Sequence, residues 1–336
     1  MVELARRFVI REKRPPRVRT GASVPVLAGL GAACVFLVIG CLTSSIFAQQ
    51  TVAGLAQGVI YSSLALSLVL IYRATEVINF AQGEMAMATT YFAYQLTLWG
   101  VAYWLAFFLT LGIAFVLGVV VQLAVIRPVQ HSVIAVVIVT VGLFILIDGL
   151  VSWKWGADLK FMPAPFGKTN YHVGQVTFAR QDLGTLIVSI VSVLLLWVLF
   201  KFTKLGLAMR AAAIRPAAAA LVGVRVNWML AIGWGLAAVL GAVAGLMTEP
   251  TQFVLQPSMM QAVLLYAFAA AVLGGLESPA GAVIGGLALG VFLNLIGQYV
   301  GFATSELRLP IAFAVLLGVL LLKPTGLFGH KKVERV

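Results

Sequence analysis

Residues 54–95 read GLAQGVIYSSLALSLVLIYRATEVINFAQGEMAMATTYFAYQ, and this stretch decides the fold. An apolar run of membrane-crossing length leads through Glu76, Asn79, Gln82 and Glu84 into further apolar sequence. Polar backbone and side chains at bilayer depth are tolerated only where they are buried in protein or line a water-filled path. A plain membrane anchor has no use for such a break, so the pattern predicts a bundle with a pathway rather than a tether.

The remainder of the chain extends the same pattern. Apolar residues make up 62% of the 336 positions and charged residues only 10%, with a mean hydropathy of +1.05. A soluble surface needs roughly 25% charge. Runs near the ~20 residues that cross ~30 Å of hydrocarbon fall at about 24–42, 52–71, 85–98, 104–126, 133–151, 182–202, 227–247, 259–275, 282–301 and 308–323. The expected fold class is therefore all-α: a polytopic transmembrane helical bundle with about ten candidate spans, some short or broken. The runs at 85–98 and 259–275 are the short ones, and they can cross fully or re-enter.

Lys and Arg orient the spans. With a cytoplasmic N-terminus, eighteen of the 23 basic residues fall on inside segments. These include Arg6–Arg19, Arg73, Arg127, Lys201–Arg225 and the C-terminal tail. The other five are Lys154, Lys160, Lys168, Arg180 and Arg308, on outside segments. Such a bias is the positive-inside signal. It predicts a multi-pass membrane protein with both termini cytoplasmic. The expected parts are a basic cytoplasmic tail over 1–23, a transmembrane domain over 24–329 and a cytoplasmic tail over 330–336. Within the domain, 152–181 is an external loop and 203–226 a cytoplasmic loop.

Several functions are disfavoured. The formal net charge of +12 is explained by topology and by contact with anionic lipid headgroups, so membrane lipid is an expected partner and nucleic acid is not. The basic tail carries one aromatic residue, Phe8, and no binding module. It is also too long to be the charged start of a cleaved signal, so the first span is expected to remain as an anchor. Cys34 and Cys41 lie about 10 Å apart along one helix, too far for a disulfide. His131, His172 and His330 lack ligand spacing, and no CxxC, HExxH or paired carboxylates occur. Gly167-Lys168-Thr169 resembles the end of a phosphate-binding loop, but Met162 stands where its first glycine is required. No metal site, hydrolytic centre or ATPase is expected in this chain.

Small residues one helical turn apart, at Gly54/Gly58, Gly241/Gly245, Gly281/Gly285 and Gly286/Gly290, predict close helix packing. The segment GGLESPAG over 274–281 is either a plain turn or a re-entrant break. Within 203–226, Ala-rich sequence favours helix. Pro216 suits a first helical position and Gly223 a C-terminal cap, which predicts a short helix over about 216–222.

Several of these motifs together resemble a known family. INFAQGE, the glycine-led helix before it, RAAAIRPAAAALVGV, VLGGLESPAGAVIGG and the closing KPTGLFG look like the permeases of branched-chain amino acid ABC importers, and most closely the LivH-type permease. The similarity runs from about Gly54 to Gly329. It implies a half-channel that pairs with a LivM-type second permease, two cytoplasmic ATP-binding subunits and an external solute-binding protein. ATP and Mg would act on the partner subunits, with no cofactor in this chain and no enzymatic activity of its own. Transport would proceed by alternating access. Gln82 stands where the family often has histidine, Glu277 adds a carboxylate, and Arg215-Pro216 replaces a pair that is often acidic.

The expected substrate pathway comprises Asn79, Gln82, Glu84, Asn294 and Gln298, each polar within apolar sequence. A network that only fastens helices explains them equally well. Arg210, Arg215, Pro216, Ala219 and Gly223 are expected to couple the permease to its motor. Relatives import urea or other small solutes, so a related solute is an alternative. An ion-coupled secondary transporter is another, with Glu84 and Glu277 as its candidate ion ligands. Asp148 is the remaining intramembrane carboxylate, and snorkelling to the interface explains it.

Overall fold

The computed structural model describes residues 24–167, 169–173, 176–252, 254–301 and 305–329. The expected tails over 1–23 and 330–336, and Lys168 of the rejected phosphate-loop motif, lie outside the described residues. Among the described residues twelve α-helices follow in order: α1 (Val24–Thr43), α2 (Ser45–Thr75), α3 (Gln82–Leu98), α4 (Tyr103–Val120), α5 (Val133–Trp155), α6 (Arg180–Phe202), α7 (Lys204–Ile214), α8 (Pro216–Leu221), α9 (Val226–Gln252), α10 (Met259–Gly274), α11 (Pro279–Tyr299) and α12 (Arg308–Leu322). A helix satisfies its own backbone polar groups, which is why apolar runs without water take this form. Each of the ten apolar runs coincides with a helix. Six of these helices are long and apolar enough to cross a membrane, with α4 counted together with its wider continuation to Val129. The apolar helices at α10, α12 and the second half of α1 are shorter.

The 152–181 loop departs from the all-helical expectation. Strands β1 (Asn170–Val173) and β2 (Val176–Ala179) pair antiparallel, with Asn170 opposite Ala179 and Val173 opposite Val176. Tyr, Val, Thr and Phe dominate these eight positions, and such residues suit a half-exposed pleated pair. The loop is also stitched to the bundle, because Lys160 and Leu255 exchange backbone hydrogen bonds of 3.0 and 2.9 Å.

α2 is the central element. Its 31 residues span about 46 Å at 1.5 Å per residue, and 83% of its apolar window is buried. The spaced glycines explain how it packs. A Cβ on Gly54 would sit 2.7 Å from Val291 Cα, and one on Gly58 would sit 2.9 Å from Leu287 Cα. The backbones of α2 and α11 therefore touch along the Gly54/Gly58 and Gly286/Gly290 seam. Ser62 continues that seam, its hydroxyl lying 2.7 Å from both the Gly58 and Val283 carbonyls. On α9, Gly241 and Gly245 do the same for α3, admitting Gln82, Ala86 and Thr90.

The GGLESPAG segment is a turn. α10 ends at Gly274, Gly275 adopts φ +100°, and Ser278 caps α11 by accepting from Gly281 N at 3.1 Å. The KPTGLFG tail folds under this turn. Leu327 N donates to the Leu273 carbonyl at 2.8 Å and Phe328 N to that of Gly274 at 3.1 Å. Both cysteines are free.

Candidate functional site

The polar break forms because α2 cannot continue. Glu76 takes a left-handed conformation (φ 56°) and closes the helix, donating from its backbone to the Tyr72 carbonyl. Asn79 then organises the chain: its Oδ1 accepts from Ala81 N at 3.0 Å, and its Nδ2 donates to Gln82 Oε1 at 3.1 Å. Gln82 opens α3 and donates through Nε2 to the Ala237 carbonyl of α9 at 3.0 Å. Ala237 lies eleven residues into α9, about 16 Å along its axis. The break is therefore sunk inside the bundle, as the polar sequence requires. Asn79 and Gln82 are buried, and their side chains join α3 to α9.

Glu84, one residue beyond Gly83, is different. It is also buried, yet neither carboxyl oxygen has a close hydrogen-bond partner among the described residues. Gln261 of α10 approaches it as a loose side-chain hydrogen-bond partner, and Asp148 of α5 adds a like charge. A buried carboxylate so weakly held costs folding free energy, so Glu84 marks a place where the packed bundle is poorly satisfied. Three helices, α3, α5 and α10, bring these groups together.

Asn294 and Gln298 lie elsewhere, on the α11 face that meets α2. Asn294 Nδ2 donates to Gln57 Oε1 at 2.8 Å, and Gln298 Oε1 accepts from Gln50 Nε2 at 3.2 Å. These are two rungs of one amide ladder that extends the glycine seam. The five expected pathway residues thus fall into two groups, Asn79, Gln82 and Glu84 at the α2–α3 break and Asn294 and Gln298 on the α2–α11 seam. Gln57, Gln50 and Gln261 did not stand out in the sequence, because a lone glutamine in a span reveals nothing until its partner is known. Arg308 was also passed over as a loop cation. It reaches across Gly297, its Nη2 lying 2.9 Å from where a Cβ would stand, and its Nε has no partner among the described residues. Glu249 near the end of α9 holds the 152–181 loop, with Oε1 accepting from Met162 N at 2.9 Å.

At the opposite end, the 203–226 segment forms a helical hairpin. Thr203 caps α7 by accepting from Gly206 N at 3.0 Å, Pro216 begins α8, and Gly223 follows with φ +85°. Arg210, Arg215, Pro216 and Gly223 lie on the exposed side of this hairpin, whereas Ala219 turns inward with 4% exposure. A six-residue helix has one face to rest on the bundle, and Ala219 is on it. Ile214 (70%), Leu221 (89%) and Val222 (78%) project outward instead.

Residues 50–322 match the model of a family described as branched-chain amino acid transport system, permease component. The high-affinity branched-chain amino acid transport system permease protein LivH of Salmonella typhimurium is 30% identical over 305 residues, 86% of this chain and 98% of that protein. The BraD permease protein of the corresponding Pseudomonas aeruginosa system is 27% identical, covering 86% of this chain and 98% of its own. A probable LivH permease of Methanocaldococcus jannaschii is 30% identical over 302 residues, covering 83% and 93%. With the sunken INFAQGE segment, the glycine seams and the exposed α7–α8 hairpin in place, this chain belongs to the branched-chain amino acid transport system permease family.

Proposed function

We propose that the chain is one permease of an ATP-driven importer for branched-chain amino acids, working by alternating access in a bacterial plasma membrane. It would pair with a LivM-type permease, two cytoplasmic ATP-binding subunits that carry ATP and Mg, and an external solute-binding protein. The observation that carries this reading is the α7–α8 hairpin. It places Ile214, Leu221 and Val222 outward, beside Arg210 and Arg215, on short helices between two long apolar spans. Exposed apolar side chains clustered outside the bilayer mark a protein contact, and a motor is the contact that an importer permease needs.

The arrangement of ends supports all ten runs crossing. Arg73, Arg210 and Glu277 meet at one end of the bundle. At the other, Gln95 accepts from Trp155 Nε1 at 2.9 Å, Met162 meets Glu249 and Lys160 pairs with Leu255. The connections after α2, α6 and α10 thus lie at one end and those after α5 and α9 at the other, which supports the alternation that ten crossings with both termini cytoplasmic require. On this reading 152–181 is external and 203–226 faces the motor.

For the solute, Glu84 is the group best suited to an ammonium, since it is a buried carboxylate held by no close hydrogen bond among the described residues, with the Gln261 side chain approaching it. Reopening of α3, α5 and α10 around it would admit the solute, while Asn79 and Gln82 hold α3 in place, and Asn294 and Gln298 flank the path on α11. Leu221→Asp tests the coupling. Leu221 is 89% exposed, so the variant should assemble normally, yet lose uptake and solute-stimulated ATP hydrolysis. Hydrolysis and uptake that stay coupled as in the wild type would refute docking through this hairpin.

A further inference from the structure

A cavity of about 850 Å³ touches neither polar group discussed above. Its volume lies within the range of small-molecule sites, and it opens between α2, α6, α7, α9 and α11 at the hairpin end of the bundle. Its interior is apolar. Leu66 and Leu196 line it and belong, with Leu240, to a small buried cluster separate from the main core.

Its mouth is cationic. Arg73, Lys201 and Arg210 all line the cavity and are all exposed. Lys201 Nζ lies 4.4 Å from the centre of the Trp197 ring, and Trp197, 51% exposed, stands on the outward apolar face of α6 beside Leu194 and Val198. The mouth therefore opens where that face meets hydrocarbon. One carboxylate, Glu277, opposes the three cations by acting on Arg73, which leaves a surplus of positive charge. A dry apolar interior behind a basic rim, entered from the lipid-facing side, matches a molecule with an anionic head and a hydrocarbon tail.

We propose that this cavity binds an anionic phospholipid of the leaflet that meets the α7–α8 end. An acyl chain would fill the space above Leu66 and Leu196, and the phosphate would lie among Arg73, Lys201 and Arg210. A segment of a partner protein would fit the apolar interior equally well but would leave the three cations unmatched.

The test is native mass spectrometry of the assembled transporter taken from nanodiscs of phosphatidylcholine with phosphatidylglycerol. Wild type should retain phosphatidylglycerol in preference to phosphatidylcholine. Lys201→Gln should reduce that retention about five-fold, the effect of one basic residue at a membrane surface. Lys204→Gln, exposed and outside the cavity lining, should leave it unchanged, which separates a site from general surface charge. Val193→Phe should expel the lipid with every cation intact. The proposal is overturned if retention shows no headgroup preference, if Lys201→Gln matches wild type, or if a photo-crosslinker at Trp197 captures a partner polypeptide instead of lipid.

Discussion

Gln82→Leu exposes most of the logic of the sunken polar segment. The change keeps the side-chain size but deletes two buried hydrogen bonds, to the Ala237 carbonyl at 3.0 Å and from Asn79 Nδ2 at 3.1 Å. The Ala237 carbonyl loses little, since a helix interior provides its own i+4 donor. Asn79 Nδ2 loses its oxygen partner and keeps only a 3.8 Å contact with Met85 Sδ. An orphaned buried donor costs about 1–3 kcal/mol, so the variant should be destabilised by about 2 kcal/mol. Gly241→Ala provides an independent approach to the same junction. Its new Cβ would stand 2.8 Å from Gln82 Nε2 and would displace the amide from Ala237. Because both changes break one junction, their combination should cost less than the sum of the two. Thermal unfolding of the purified complex, read by tryptophan fluorescence and followed by uptake measurements on the assembled fraction, decides the matter. Wild-type stability with altered solute preference would refute the fastening role and place Gln82 in the path.

Other perturbations follow from the same contacts. Gly58→Ala pushes a Cβ to 2.9 Å from Leu287 Cα and should lose about 1–3 kcal/mol by overpacking, whereas Gly112→Ala, with nothing within 4 Å, should be neutral or slightly stabilising; expression and unfolding of the two variants check this. Glu84→Gln preserves shape and leaves an amide oxygen that Gln261 can still approach, so assembly should persist while uptake falls roughly ten-fold or more through loss of a charged hydrogen bond. Normal uptake in that variant would remove Glu84 from solute recognition. Asp158→Cys, exposed in the 152–181 loop, should react with an impermeant thiol reagent from outside once Cys34 and Cys41 are replaced. Labelling only after membrane disruption would invert the orientation.

Much of this architecture is visible in the residues themselves. Hydropathy located ten of the twelve helices described, because an apolar run in lipid has a single local solution to its backbone hydrogen bonds. The paired glycines marked the α2–α11 and α3–α9 contacts, since small residues matter where backbones touch. Pro216 and Gly223 bounded α8 through the φ angles that each favours. What stayed hidden depends on distant partners. The direction of Ala219 follows from how α8 rests on the bundle, and the pairing of Asn294 with Gln57 joins residues 237 positions apart. The β1–β2 hairpin was missed because eight mixed residues in a long loop provide little signal beside the apolar runs. The GGLESPAG segment, legible as either a turn or a break, became a turn because Gly275 and Ser278 could close it.

The central claim is that ATP drives branched-chain amino acid import through this chain. Its most direct measurement is labelled leucine uptake into proteoliposomes containing the complete complex, with binding protein outside and ATP inside. Uptake should require both the binding protein and hydrolysable ATP and should persist when ionophores collapse proton and sodium gradients. Uptake driven by an imposed ion gradient without ATP would contradict the account.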